Sequence, residues 1–223
     1  MPMVVTTKDC TALGDAELEE LADLGVEPSG FDIGFLSKER EEWVLVTTVR
    51  DGRKLRGYSF CTLERIGGTP SLLVGVASVD RTSRAESALK TIMADQFRRA
   101  LLAFPDEDVL LGTRLLSPDG FRAFAGLTDV VPTAGHRASG EERAWARRLA
   151  KRFGVEARLD DRTFVLKGDA AAATGGLDFT HPKVKLPEGA TELFSGLDAV
   201  RGDRLVAFGW AMAEDLAGGK FSR

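Results

Sequence analysis

SLLVGVASVDRTSRAESALKTIMADQFRRALLAFPDEDVLLGT, residues 71–113, reads as strand, short polar loop, long amphipathic helix and strand. Segment 71–79 is apolar on both alternating faces, the pattern of a strand covered on both sides. Between 84 and 104, Leu89, Met93, Phe97, Ala100, Leu101 and Phe104 recur at spacings of three and four, which makes one apolar stripe. Pro105 ends the helix, because proline cannot supply the next amide. Segment 108–113 is apolar again. A helix that begins straight after a tight loop between parallel strands turns its first, unpaired amides toward that loop. Phosphates bind in such places.

Upstream the period is two. Segments 43–50 (WVLVTTVR) and 55–66 (LRGYSFCTLERI) read as strands joined by the turn Asp51-Gly52-Arg53-Lys54. Asp-Gly supplies the positive φ angles that tight hairpins need. Gly67-Gly68-Thr69-Pro70 is a second turn into 71–79. Three strands on two short turns form an antiparallel meander. Adding the helical crossover to 108–113 gives a mixed sheet, an α+β fold. Before the meander, 15–24 reads as a short helix with Leu18, Leu21 and Leu24 inward and Gly25 at its end. Phe31, Ile33, Phe35 and Leu36 make a helical turn or two ahead of a solvated charged run, 38–42. Residues 1–14 carry no clear pattern.

Downstream, Ser117-Pro118-Asp119 starts a short helix that buries Phe121 and Phe124, with Ser as its cap. Ser139 and Glu142 form a capping box for a helix to about Phe153, burying Trp145 and Leu149, with Gly154 at its end. Segments 155–158 and 163–167 read as short strands around a turn at Asp160-Asp161. Residues 168–189 are poor in regular structure, and a loop of that length is usually functional or mobile. A helix near 190–197 and a strand at 204–212 close the chain. No repeat or linker divides it, so the expectation is one domain over 1–223, with its core at 43–132 and a C-terminal portion at 133–223.

The chain has 223 residues, 43% hydrophobic and 29% charged, with a formal net charge of -4. That charge argues against nucleic acid as a partner, since phosphate backbones call for a surplus of Lys and Arg. No apolar run approaches the roughly 20 residues of a membrane span. The N-terminus lacks the basic start and apolar centre of a signal peptide. Cys10 and Cys61 are far apart and fit no metal spacing, and His136 and His181 are the only histidines, so no metal is expected. Reduced thiols fit a cytoplasmic protein.

The order meander, crossover helix, strand, short helix and closing strands resembles the GNAT superfamily of acyl-CoA-dependent N-acyltransferases. The likeness spans 43–132, with 204–212 as its last strand. The family's signature, Arg or Gln, two residues, Gly, one residue, Gly or Ala, aligns with Arg84-Ala85-Glu86-Ser87-Ala88-Leu89. Arg84 matches; Ser87 replaces the first Gly, and Leu89 replaces the second Gly or Ala. The resemblance implies acetyl-CoA or another acyl-CoA as cosubstrate and a small-molecule or peptide amine as acceptor. It implies pyrophosphate contacts at Val79, Arg81, Arg84, Ala85, Glu86, Ser87 and Ala88. The pantetheine arm would lie where strands 71–79 and 108–113 splay apart. Glu86 adds a negative charge there that Arg81 and Arg84 offset.

Amine acylation needs a base and often an acid. The family's usual acid, a Tyr after the strand that follows the long helix, has no counterpart in 115–131. Candidates for proton transfer are Tyr58, Glu64 and His181, each with a plainer reading: a packed strand Tyr, a solvated Glu, a loop His. Cys61 reads as a small hydrophobe, and Lys183 and Lys185 as a solvated edge. A second reading follows from the lost glycines, Glu86 and the missing Tyr: a catalytically inactive relative that serves as a binding or interaction module. Strand 205–212 would then be its self-association edge in a homo-oligomer.

Overall fold

The computed structural model describes residues 3–24, 31–169 and 174–221. The meander stands where its β-branched runs and turns put it: β2 (Leu45–Asp51), β3 (Lys54–Ile66) and β4 (Thr69–Val79), in antiparallel succession. Gly52 turns the first hairpin at φ +61°. α3 (Ala85–Ala103) crosses over and delivers β5 (Val109–Leu115) parallel to β4, with Ser71–Leu73 beside Leu110–Gly112. The sheet is therefore mixed.

Among the described residues, β1 (Val4–Asp9), a 3-10 turn (Cys10–Ala12), α1 (Asp15–Leu24) and α2 (Ile33–Glu42) lie before the meander. β1 pairs antiparallel with β2, from Val4 opposite Arg50 to Asp9 opposite Leu45. Its sequence, VVTTKD, is half-buried at a sheet edge and shows no clean alternation, which hides it from pattern reading. The charged run 38–42 continues α2, capped by the Asp32 carboxylate. Gly25, expected to end α1, falls outside the described residues.

After β5 the chain departs from expectation more often. Pro118–Phe124 is a 3-10 helix burying Phe121 and Phe124, but Ser117 does not cap it; its Oγ donates to the carbonyl of Phe179 at 2.6 Å. β6 (Thr128–Val131) follows, then α4 (Gly140–Arg152) with the expected reciprocal capping by Ser139 and Glu142. Residues 156–158 form a 3-10 turn rather than a strand, and the hairpin is shorter: β7 (Leu159–Asp160) and β8 (Val165–Leu166). The stretch expected to lack regular structure contains β9 (Gly176–Asp178). Only Glu192–Phe194 of the expected helix near 190–197 is helical, as 3-10. β10 (Arg204–Ala211) is followed by α5 (Ala213–Ala217), which sequence reading missed.

The strand order is β1-β2-β3-β4-β9-β5-β10-β8-β7. β10 is interior, hydrogen-bonded to β5 on one side and to β8 and β6 on the other. It is thus no sheet edge, and the self-association strand expected at 205–212 is corrected: Leu205, Val206, Ala207, Phe208 and Ala211 are buried in this chain's own core.

α3 covers one sheet face, where Gln96 Nε2 donates to Ser59 Oγ at 2.8 Å. α4 covers the other, with Leu149 lying where a Cβ on Gly112 would be. The register between β3 and β4 jumps from Phe60–Val76 to Cys61–Val74, leaving Gly75 as an extra residue on β4. Such a bulge bends its strand. Gly75 is needed there because a Cβ would meet the Trp43 ring at 1.9 Å. Beyond this point β4 and β5 part.

Candidate functional site

The parting of β4 from β5 is the place to look for a ligand, because strands that diverge leave carbonyls and amides without ladder partners. Here the chain supplies those partners itself. Thr113 Oγ1 donates to the carbonyl of Val74 at 2.8 Å, and Arg114 Nη2 to that of Gly75 at 2.7 Å. β9 then fills the gap. Val76, Ala77 and Ser78 pair in parallel with Gly176, Leu177 and Asp178, and Leu115 of β5 pairs with Leu177. Leu116 N donates to the Leu177 carbonyl at 3.3 Å.

Two glycines make the insertion fit. A Cβ on Gly175 would stand 2.7 Å from the Gly75 carbonyl oxygen, and one on Gly176 2.5 Å from that of Arg114. Gly176 also has φ +145°. Close approach of two backbones requires residues without side chains. All three residues of β9 are buried.

The start of α3 is equally committed. Arg84, the residue before the helix, reaches Asp51 at 2.5 Å, and Asp51 in turn holds Arg56, which bonds to buried Asp80 at 2.8 Å. Arg81 stands 3.9 Å from Asp178 of β9, and Glu86 pairs with Arg122 at 2.7 Å. Ala85 N donates to the Thr82 carbonyl and Ala88 N to that of Arg84. Val79, Ala85 and Ala88 are buried, Ser87 is exposed, and Leu89 turns into the core at 1% exposure. The bulky residue at the signature's last position is thus accommodated by facing away from the loop.

The three proton-transfer candidates are not brought together. Tyr58 is fully buried on β3, its hydroxyl without a hydrogen-bond partner among the described residues. Burial, with the charge of Asp178 behind it, pushes its phenol pKa up. Glu64 accepts from Arg152 Nε at 2.7 Å. His181 lies beyond β9; its amide donates to Asp119 Oδ2 at 2.8 Å, and its Nδ1 accepts from Lys183 N at 3.3 Å. Cys61 is buried at 1% exposure, its pKa pushed up to about 12 mainly by desolvation.

An acyl-CoA does not fit these residues in this arrangement. The gap that would take the pantetheine holds β9, and the arginines that would meet the pyrophosphate already face carboxylates. Among the described residues no three His, Cys, Asp or Glu side chains converge as metal ligands, and no helix is long and apolar enough to cross a membrane.

Open space lies next door. A cavity of about 360 Å³ is walled by Phe121, Phe124, Val130, Leu186 and Leu193, with Arg122, Lys185 and Glu188 at its polar positions. A second, of about 460 Å³, shares Pro132, Thr133 and Leu193 with it and is lined by His136, Arg162 and Lys167. His136 Nε2 is 2.9 Å from Glu142, the residue that caps α4. Volumes of this size suit small-molecule sites.

Sequence reading passed over Arg114, Asp178 and Arg204. One signal was there: an arginine at the end of an otherwise apolar strand, VLLGTRL, demands a buried partner.

No family model matches the chain, and no curated protein matches its sequence. Among solved structures, an aminoglycoside 6'-acetyltransferase type Ii is similar at a TM-score of 0.42 and 12% identity, over 59% of this chain and 88% of that one. TTHA1254 from Thermus thermophilus is similar at a TM-score of 0.38 and 15% identity, over 59% of this chain and 99% of that one. The fold is GNAT-like: an antiparallel meander, the crossover helix α3, a parallel pair that splays at a bulge, and an antiparallel closing strand.

Proposed function

We propose that this chain is a GNAT-like binding module, not an active acyltransferase, and that its ligand is a small molecule held in the paired cavities around Pro132, Thr133 and Leu193. One observation carries the first part: β9 occupies the splay between β4 and β5 and hydrogen-bonds along the β4 edge. The loop before α3 supports it, since Arg81, Arg84 and Glu86 are all engaged in ion pairs within the chain. Tyr58 supports it too, its buried hydroxyl being closed off from any acceptor. Two buried free thiols suit a reducing compartment, which supports a cytoplasmic location.

A second reading has an observation in its favour. β9 meets β4 at three register pairs and β5 at one. A segment held so briefly is displaceable, and with β9 out the cleft takes the form an acyl-CoA needs. The chain would then transfer an acyl group from acetyl-CoA or another acyl-CoA to a small-molecule or peptide amine.

A thermal-shift titration with acetyl-CoA and with CoA separates the two, run on the wild type and on Arg84→Ala. The binding-module reading expects no saturable shift at millimolar ligand. Ligand at ~100 times its dissociation constant would stabilise the fold by ~2.7 kcal/mol. A saturable shift of that kind, weakened in Arg84→Ala, overturns the first reading in favour of the second.

A further inference from the structure

The sheet face under α4 carries polar groups that the described residues leave without partners. Val206 is the register partner of Arg114, and Arg204 lies two residues before it, so alternation puts both arginines on this face. Both are buried, Arg114 at 4% and Arg204 at 9% exposure. They converge on one short segment. Arg204 Nη2 lies 3.5 Å from the Thr174 carbonyl, and Arg114 Nη2 lies 2.8 Å from where a Cβ on Gly175 would stand.

Around this point, donors go unused. Arg114 Nε, Arg204 Nε and the hydroxyl of Thr174, itself 5% exposed, have no hydrogen-bond partner among the described residues. Arg158 Nη1 is enclosed and partnerless in the same sense, on a half-buried side chain that follows α4. Arg114 is stacked 4.4 Å above the Phe153 ring, which fixes its plane. Burial, and the nearby charges of Arg204, Arg158 and Arg152, pull its pKa down to about 10, against the attraction of Glu39.

Two carboxylates bear on Arg204, those of Asp178 and Asp203, and each also serves other groups. Asp203 accepts two bonds from Arg201 and one each from the amides of Gly168 and Asp198. Glu39 accepts from Trp43 Nε1 at 2.7 Å, and Arg152 is matched by Glu42 and Glu64. Asp178 is shared with Arg81. Buried guanidinium donors without acceptors are costly, and an anion with several lone pairs removes that cost at once.

We propose that Arg114, Arg158, Arg204 and Thr174 form a binding site for one small oxyanion, an inorganic phosphate or a ligand carboxylate. Half-buried Arg158 marks the side open to solvent. This site is separate from the loop before α3 and from the paired cavities.

The test is a thermal-shift titration with inorganic phosphate up to about 10 mM, well above the dissociation constants at which a bound ligand shifts Tm, with ionic strength held constant by sodium chloride. A parallel titration uses acetate. The expected result is a saturable rise in Tm with phosphate, acetate or both, absent with chloride alone. Response to acetate alone assigns the site to carboxylates, and response to phosphate alone assigns it to phosphoryl groups. Arg158→Gln, at a half-buried position, and the isosteric Thr174→Val should each weaken the apparent affinity roughly tenfold, the loss of one charge-assisted bond, while leaving the fold intact. No saturable response in the wild type overturns the proposal. So does an equal response in wild type and both variants.

Discussion

Ser78 and Asp178 are direct register partners in a parallel strand pair, with Tyr58 the partner of Ser78 on its other side. Three strands thus put a phenol, a hydroxyl and a carboxylate in one row across the sheet. The row exists because residues from the far end of the chain fill a gap in the sheet core.

Leu177 is the anchor of that filling segment, at 2% exposure. Truncation to Ala should cost about 2–5 kcal/mol, the usual range for a buried leucine. Urea denaturation of Leu177→Ala against wild type measures it. A loss below about 0.5 kcal/mol, the level of an ordinary surface substitution, would mean that β9 does not dock in solution.

Tyr58→Phe should leave stability unchanged or raise it by about 1 kcal/mol. The hydroxyl is buried without a partner among the described residues, so the native state carries its desolvation cost and Phe does not. A marked drop in melting temperature would instead reveal a hydrogen bond to that hydroxyl in solution.

Acid should destabilise the fold partly through Asp203. Its bonds from Arg201 and two backbone amides hold its carboxyl well below the usual carboxylate range. The unfolded chain, near pKa ~3.9, takes up the proton first. The contribution is therefore fully present above about pH 4 and is lost as the pH falls toward the folded-state value. Asp203→Asn should cost roughly 1–3 kcal/mol at neutral pH, and the gap to wild type should narrow below about pH 4. Parallel stability curves through the acid range would contradict this.

Both thiols should be inert in the folded protein. Cys10 and Cys61 are 0% and 1% exposed, and desolvation pushes each pKa up to about 12. From a free value near ~8.5, that suppresses the reactive thiolate by roughly three-thousandfold. Labelling with a thiol reagent in mild alkali should be slow until denaturant is added, then complete at both cysteines. Rapid native labelling would place a cysteine at the surface.

What depends on near neighbours along the chain was legible in the residues. The meander, its Asp-Gly turn, α3 and its buried stripe, the parallel return of β5 and the Ser139–Glu142 capping box all follow from periods of two and 3.6 and from local turn and cap chemistry. Those rules act over a few residues, and there they worked. The rest came from packing between distant segments. β9 has three residues, one of them glycine, and holds its place only because β4 and β5, about 100 and 60 residues earlier, leave a gap it can pair with. β10 looked like an exposed edge because its apolar run carries no record of the neighbours on either side. Arg81, Arg84 and Glu86 read as groups awaiting a ligand, yet their partners Asp178, Asp51 and Arg122 come from three other parts of the chain. Strand pairing and ion pairing act between residues distant in sequence, and a single sequence does not record which of them meet.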